Sequence, residues 1–103
     1  MPGRSRGDLR RSVTERRYRV EISPAAGRQL RRLPPGDAAR LRAPVLALAI
    51  DPRPPGSAKL RDSDFWRVRS GELRVIYDID DAERLVVVLR VARRAERTYR
   101  RAL

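Results

Sequence analysis

Asp64-Phe65-Trp66-Arg67-Val68-Arg69-Ser70-Gly71-Glu72-Leu73-Arg74-Val75-Ile76-Tyr77-Asp78-Ile79 alternates apolar and polar residues on either side of Ser70-Gly71. That is the period-2 signature of a β-hairpin buried on one face, with a tight turn at Ser70-Gly71. On the first strand Trp66 and Val68 share a face and leave Arg67 and Arg69 on the other. On the second, Leu73, Val75, Tyr77 and Ile79 share a face and leave Arg74 opposite, with Ile76 and Asp78. Pairing the strands brings the polar faces to the same side, so Arg67, Arg69 and Arg74 converge on one surface.

Working outward from the hairpin, Tyr18-Arg19-Val20-Glu21-Ile22 alternates in the same way and reads as a first strand. Ser23-Pro24 then supplies an N-cap and a proline at the first helical position. Ala26, Leu30 and Leu33 form the apolar stripe of a helix that Pro34-Pro35-Gly36 ends. Asp37 is placed to cap a second helix, with Leu41, Val45 and Leu48 as its stripe. Pro44 within it predicts a kink or a restart, because it removes a backbone donor and crowds the carbonyl of Arg40. Asp51-Pro52-Arg53-Pro54-Pro55-Gly56-Ser57 is a surface loop. After the turn Asp80-Asp81-Ala82-Glu83, the run from Arg84 to Val91 is nearly continuous in apolar residues, as in a central strand covered on both faces. The order is β-α-α-β-β-β, an α+β domain with both helices on one face of the sheet.

The chain has 103 residues, which fits one domain, with residues 1–17 a basic arm and 18–103 the folded unit. The arm holds six arginines against Asp8 and Glu15 and has almost no apolar periodicity. It is either a flexible segment that a polyanion would order or the product of an over-long start, and no function is assigned to it. A basic segment closes the chain, with five arginines against Glu96 from Ala92 to Leu103. No apolar run approaches the ~18 residues of a membrane span, and no signal-peptide core is present, so the expectation is a cytoplasmic protein without a membrane partner.

The net charge of +12 points to a polyanionic partner, a nucleic acid or an acidic protein. Lys59 is the one lysine among 25 basic residues, so compositional bias accounts for the preference for arginine better than for the excess of charge. Cysteine and histidine are both absent. This rules out disulfides and thiolate or histidine-based nucleophilic triads, and removes the commonest metal ligands. The expectation is no metal and no small-molecule cofactor.

What remains is arginine chemistry. Guanidinium groups bind phosphate bidentately and stay charged at every relevant pH. Several around one phosphate would stabilise the extra charge of a pentacoordinate transition state, and RNA supplies its own nucleophile in the 2′-hydroxyl. If the C-terminal segment folds over the hairpin, Arg94 and Tyr99 join the cluster, and neighbouring cations would lower the Tyr99 phenol from its usual ~10. Lys59, Arg61, Arg93 and Arg97 flank it as further contacts for an RNA backbone. The residues alone leave two readings open: a cleaving site, or a face that only grips a phosphate backbone or an acidic partner.

Several stretches together resemble the RelE/ParE superfamily of toxin–antitoxin toxins: Tyr18 to Ala26, Asp51 to Ser57, Lys59-Leu60, Trp66 to Gly71, Leu73 to Tyr77 and Val87 to Val91. The resemblance covers about residues 18–100. It implies a RelE-like fold: an N-terminal strand, a helical hairpin, and a three-stranded antiparallel meander completing a four-stranded sheet, followed by a short basic C-terminal segment. It implies a metal-independent endoribonuclease that cleaves mRNA in the ribosomal A site and inhibits translation, and a cognate antitoxin as partner. Carried over by position, the family's functional residues fall on Arg67, Arg69, Arg74, Arg94 and Tyr99. The position of Arg67 is often a lysine implicated as the general base. Arginine, with a pKa above ~12, is a poor proton acceptor, so the base role passes to Tyr99 and Arg67 becomes a charge stabiliser. Two further departures are the spacing from Arg94 to Tyr99, one residue short of the usual pattern, and Arg93 where a histidine is a common variant. The other readings are a ParE-like inhibitor of DNA gyrase without nuclease activity, and a non-catalytic RNA-binding module.

Overall fold

Ser23 starts the first helix as its sequence requires: its Oγ accepts from the Ala26 N–H at 3.1 Å, with Pro24 in the first helical turn. The computed structural model describes residues 17–93. Arg4 to Arg16 of the basic arm and the segment carrying Arg94, Arg97 and Tyr99 lie outside the described residues. In chain order the elements are β1 (Arg19–Ile22), α1 (Pro24–Arg32), α2 (Pro35–Ala47), β2 (Ala58–Lys59), β3 (Trp66–Ser70), β4 (Leu73–Asp80) and β5 (Leu85–Arg93). The sheet runs β1-β5-β4-β3-β2, with β1 parallel to β5 and every other pair antiparallel. This is the expected α+β architecture, with one strand more than the four predicted. The addition, β2, is two residues long at the edge beside β3, too short to carry a period.

Three other details differ from the sequence reading. α2 begins at Pro35, so Asp37 lies in its first turn and is not the cap; the N-cap residue is Pro34, which offers no side-chain hydrogen bond. Proline is pre-set for a first helical turn and loses no needed donor there. The helix also runs unbroken past Pro44 to Ala47. The carbonyl that Pro44 leaves without its usual donor belongs to Arg40, an exposed residue that solvent can reach. The hairpin loop is Gly71-Glu72, one residue later than expected, because Ser70 still pairs with Leu73. Gly71 takes a φ of 59°, which suits the first central position of a II′ turn, where glycine has no Cβ to clash.

Ala26, Leu41 and Leu48 from the helices meet Val68, Leu73, Val75, Tyr77, Val86, Val88 and Val91 from the sheet. The predicted stripes are therefore the buried ones, with Leu30, Leu33 and Val45 packed at the margin. β5 is central, as its apolar run predicts. Its helix-side residues Val86 and Val88 are fully buried, while Leu85, Val87 and Leu89 on the other face are half-buried.

A β-bulge divides β5. Ile76 pairs with Arg90 but Tyr77 pairs with Val88, leaving Leu89 as an extra residue. A bulge shifts the alternation by one. Before it Val86 and Val88 face the helices; after it Val91 and Arg93 do. β1 has ended by this point, and the cap residue Ser23 and the α1 side chain of Gln29 take over the edge of β5. The Ser23 N–H donates to the Val88 carbonyl at 2.9 Å, Ser23 Oγ donates to the Leu89 carbonyl at 3.3 Å, and Gln29 Oε1 accepts from the Val91 N–H at 2.7 Å. Among the described residues, no helix is long and apolar enough to cross a membrane.

Candidate functional site

The two-residue turn and the bulge together decide what stands on the sheet face away from the helices. Across β3 and β4, Arg69 pairs with Arg74 and Arg67 with Ile76. Across β4 and β5, Arg74 pairs with Ala92 and Ile76 with Arg90. Side chains directly opposite on antiparallel strands have Cβ atoms about 4.5–5.5 Å apart. Two adjacent rows result, Arg69-Arg74-Ala92 and Arg67-Ile76-Arg90. The expected convergence of Arg67, Arg69 and Arg74 is present, and Arg90 joins it.

Arg90 was missed in the sequence because unbroken alternation from Val86 and Val88 would bury it. An arginine at a position that the pattern assigns to the core was itself the sign of a bulge. Of the other candidates, Arg61 is exposed in the turn before β3. Lys59 pairs opposite Trp66, whose face is the helix side, and lies 3.8 Å from Asp64 Oδ1. Arg93 emerges on the helix side of the bulge and forms a hydrogen-bonded ion pair with Asp37 of α2. Arg94, Arg97 and Tyr99 fall outside the described residues.

Beside the arginine rows lies a cleft of about 410 Å³ lined by Leu60, Phe65, Arg74, Ile76, Leu89, Arg90 and Ala92. Its lining is mostly apolar, with Arg74 and Arg90 as the two charged residues along it. Arg74 Nε is buried and has no hydrogen-bond acceptor among the described residues. A buried donor left without an acceptor costs about 1–3 kcal/mol.

A second polar cluster sits where β4 turns into β5. Asp81 accepts from Arg53 Nη1 and Nη2 at 3.2 and 2.8 Å and from the Tyr18 hydroxyl at 2.6 Å. The guanidinium of Arg53 also lies 5.3 Å from the ring centroid of Trp66, within reach of a cation–π attraction. Donation from Arg53, and then from Tyr18, holds the Asp81 carboxyl below its ordinary value. The same hydrogen bond raises the Tyr18 phenol. Nearby, Tyr77 is fully buried and donates to the Pro52 carbonyl at 2.7 Å, and burial raises its phenol. The loop from Asp51 to Ser57 is thereby clasped to the sheet.

Residues 20–98 match the family model described as the ParE toxin of type II toxin-antitoxin system, parDE. The chain belongs to the RelE/ParE superfamily of type II toxins. A solved toxin–antitoxin complex, RelBE2 from Mycobacterium tuberculosis, contains a chain 33% identical to this one, with a TM-score of 0.70 over 77% of this toxin and 93% of that chain. The archaeal RelE–RelB complex from Pyrococcus horikoshii OT3 matches at 28% identity and a TM-score of 0.67, over 75% and 94%. The isolated E. coli RelE toxin, at 21% identity and a TM-score of 0.65 over 84% and 99%, shares the fold. No curated protein matches the sequence.

Proposed function

We propose that this toxin is a ribosome-dependent mRNA endonuclease that arrests translation in the cytoplasm and is neutralised by a cognate antitoxin. The observation that carries the reading is the arginine array: Arg67, Arg69 and Arg74 on neighbouring positions of one face, with a buried donor on Arg74 that has no acceptor among the described residues. In this reading the arginines surround the scissile phosphate of an mRNA in the ribosomal A site. The adjacent 2′-hydroxyl attacks phosphorus, the bond to the 5′-oxygen breaks, and the products are a 2′,3′-cyclic phosphate and a 5′-hydroxyl. Tyr99, as its phenolate, takes the proton from the 2′-hydroxyl while a solvent water gives one to the departing 5′-oxygen, Arg94 and Arg97 extend the cationic surface, and the array holds the charge that develops on the phosphoryl oxygens. Arg67 is a charge stabiliser, since a guanidinium does not accept a proton in this pH range. The antitoxin, an acidic or amphipathic partner, covers part of the same basic face.

The family model's description favours a second reading, a ParE-type toxin that blocks DNA gyrase. Two assays on the purified protein separate them: mRNA cleavage in a translating extract, and supercoiling by purified gyrase. The nuclease reading expects cut mRNA and unimpaired supercoiling. Intact mRNA with inhibited supercoiling establishes the second. Binding to RNA that weakens steeply with salt, with no scission on programmed ribosomes, reduces the toxin to an RNA-binding module.

A further inference from the structure

The last rung of the sheet carries an acid that the phosphate chemistry does not use. Ser70 pairs with Leu73 and Leu73 with Arg93. This rung lies one residue beyond the open-face row Arg69-Arg74-Ala92 and faces the helices. Here Asp37, in the first turn of α2, meets two cations. Its Oδ2 accepts from Arg93 Nη2, and its Oδ1 lies 3.5 Å from Arg40 Nη1. A Cβ on Gly71 would stand 3.9 Å from that same Arg40 nitrogen, so Arg40 leans over the turn between β3 and β4. Asp37 is the enclosed member of the three, its side chain 14% exposed against 44% for Arg93 and 57% for Arg40. One carboxylate therefore joins the turn that presents Arg69 and Arg74 to the end of the strand that presents Arg90.

Ion pairs with exposed partners contribute little to stability, so the larger effect of this one is on geometry. β5 ends at Arg93, opposite the first residue of β4. The ladder offers no further rung there, and the side chain of Arg93 ties the strand down. Arg94 is the next residue in the chain. Successive side chains of a strand take opposite faces, so holding residue 93 to the helices directs the following one to the open face.

We infer that Asp37 is a positioning residue: through Arg93 it fixes the end of β5, and with it the approach of Arg94 to the arginine array. The inference rests on the RNA-cleaving reading and adds to it a residue on the far side of the sheet from the phosphate. It also gives Arg93 a role other than contact with RNA.

The test measures kcat and KM for cleavage on programmed ribosomes, with thermal melting alongside. It compares wild type with Asp37→Asn, Arg93→Gln, the double variant and Arg93→Lys. Asp37→Asn keeps the shape of the side chain and removes its charge. Misplacing a reacting group by about 1 Å can cost about a hundredfold, so each single variant should lower kcat about tenfold and leave KM within about twofold. Tm should fall by no more than a few degrees. The double variant should be no slower than the slower single one, because the two residues act as a unit. Arg93→Lys keeps a cation within reach of Asp37 and should recover most of the rate. A raised KM in Arg93→Gln with Asp37→Asn unaffected puts Arg93 on the RNA and overturns the inference. Losses that multiply in the double variant also overturn it, and so do losses of kcat that follow a lowered Tm, which make the pair a stabilising contact alone. If the wild type cuts and both single variants cut equally well, only this inference falls. If the wild type cuts no mRNA, the nuclease reading falls and takes it along.

Discussion

Arg53 and Arg74 both contribute to the sheet half of the molecule, but their surroundings have little in common. Arg53 has its fork on both oxygens of Asp81 and its flat face near Trp66, although its side chain is 41% exposed and water is at hand. Arg74 is the more enclosed residue, and its Nε finds no acceptor among the described residues. A protein that needs an arginine for structure surrounds it with acceptors. One that needs it for an external anion holds it in place and leaves a donor open. The first arrangement adds stability; the second leaves a buried donor unsatisfied at a cost of about 1–3 kcal/mol, which in the proposed reading a bound phosphate would offset.

The largest effect expected from this contrast is at Arg74. Arg74→Ala should lower mRNA cleavage by about 10²–10³, the range for removing one donor to a developing charge, and should relieve growth arrest. Thermal melting should show no loss of stability, since the change also removes a buried donor without an acceptor. A folded Arg74→Ala that is equally toxic breaks the comparison. Next is Tyr77→Phe, which leaves the Pro52 carbonyl without its donor. It should cost about 1–3 kcal/mol, seen as a Tm lower by roughly 4–8 °C per kcal/mol in a domain of this size.

A smaller loss is expected from Arg53→Lys. The bidentate fork is given up and the contact with Trp66 weakened, for about 1 kcal/mol at a part-exposed site, with cleavage unchanged. A fall in cleavage without a fall in Tm would place Arg53 with the functional arginines. The smallest effect is the acid dependence of the clasp. The folded-state value of Asp81 is depressed, so its contribution is present above the unfolded value of ~3.9 and is lost as pH falls through the folded value. Chemical denaturation of Asp81→Asn and wild type should therefore differ most near neutral pH and converge in acid.

The parts of this design that could be read from the sequence are those with a period or a cap. Alternation assigned the faces of β3 and β4 correctly, and with them Arg67, Arg69 and Arg74. Ser23-Pro24 marked the start of α1. The misreadings have local physical causes. Pro35 supports a helical first turn as well as it ends a helix, so α2 begins before Asp37, which is then available to Arg93. β2 has two residues and no pattern. Asp81 reads as a solvated turn carboxylate because its partners, Tyr18 and Arg53, are distant in the chain and meet it only in the folded protein. Arg90 was hidden by the bulge.

That bulge has a consequence for the chain's tolerance of change. Up to Val88 the even-numbered residues of β5 belong to the core, and from Arg90 onward the odd-numbered ones do. A single surplus residue thus lets one strand serve two masters, with Val86 and Val88 turned to the helices and Arg90 turned to the opposite side. Deleting Leu89 would place Arg90 directly after Val88 and restore an unbroken register, with Arg90 still opposite Ile76 on the open face and Val91 still opposite Val75 toward the helices. The strand can thus lose this leucine and keep both faces, whereas drawing Leu89 into a regular ladder would turn Arg90 toward the helices and Val91 away from them.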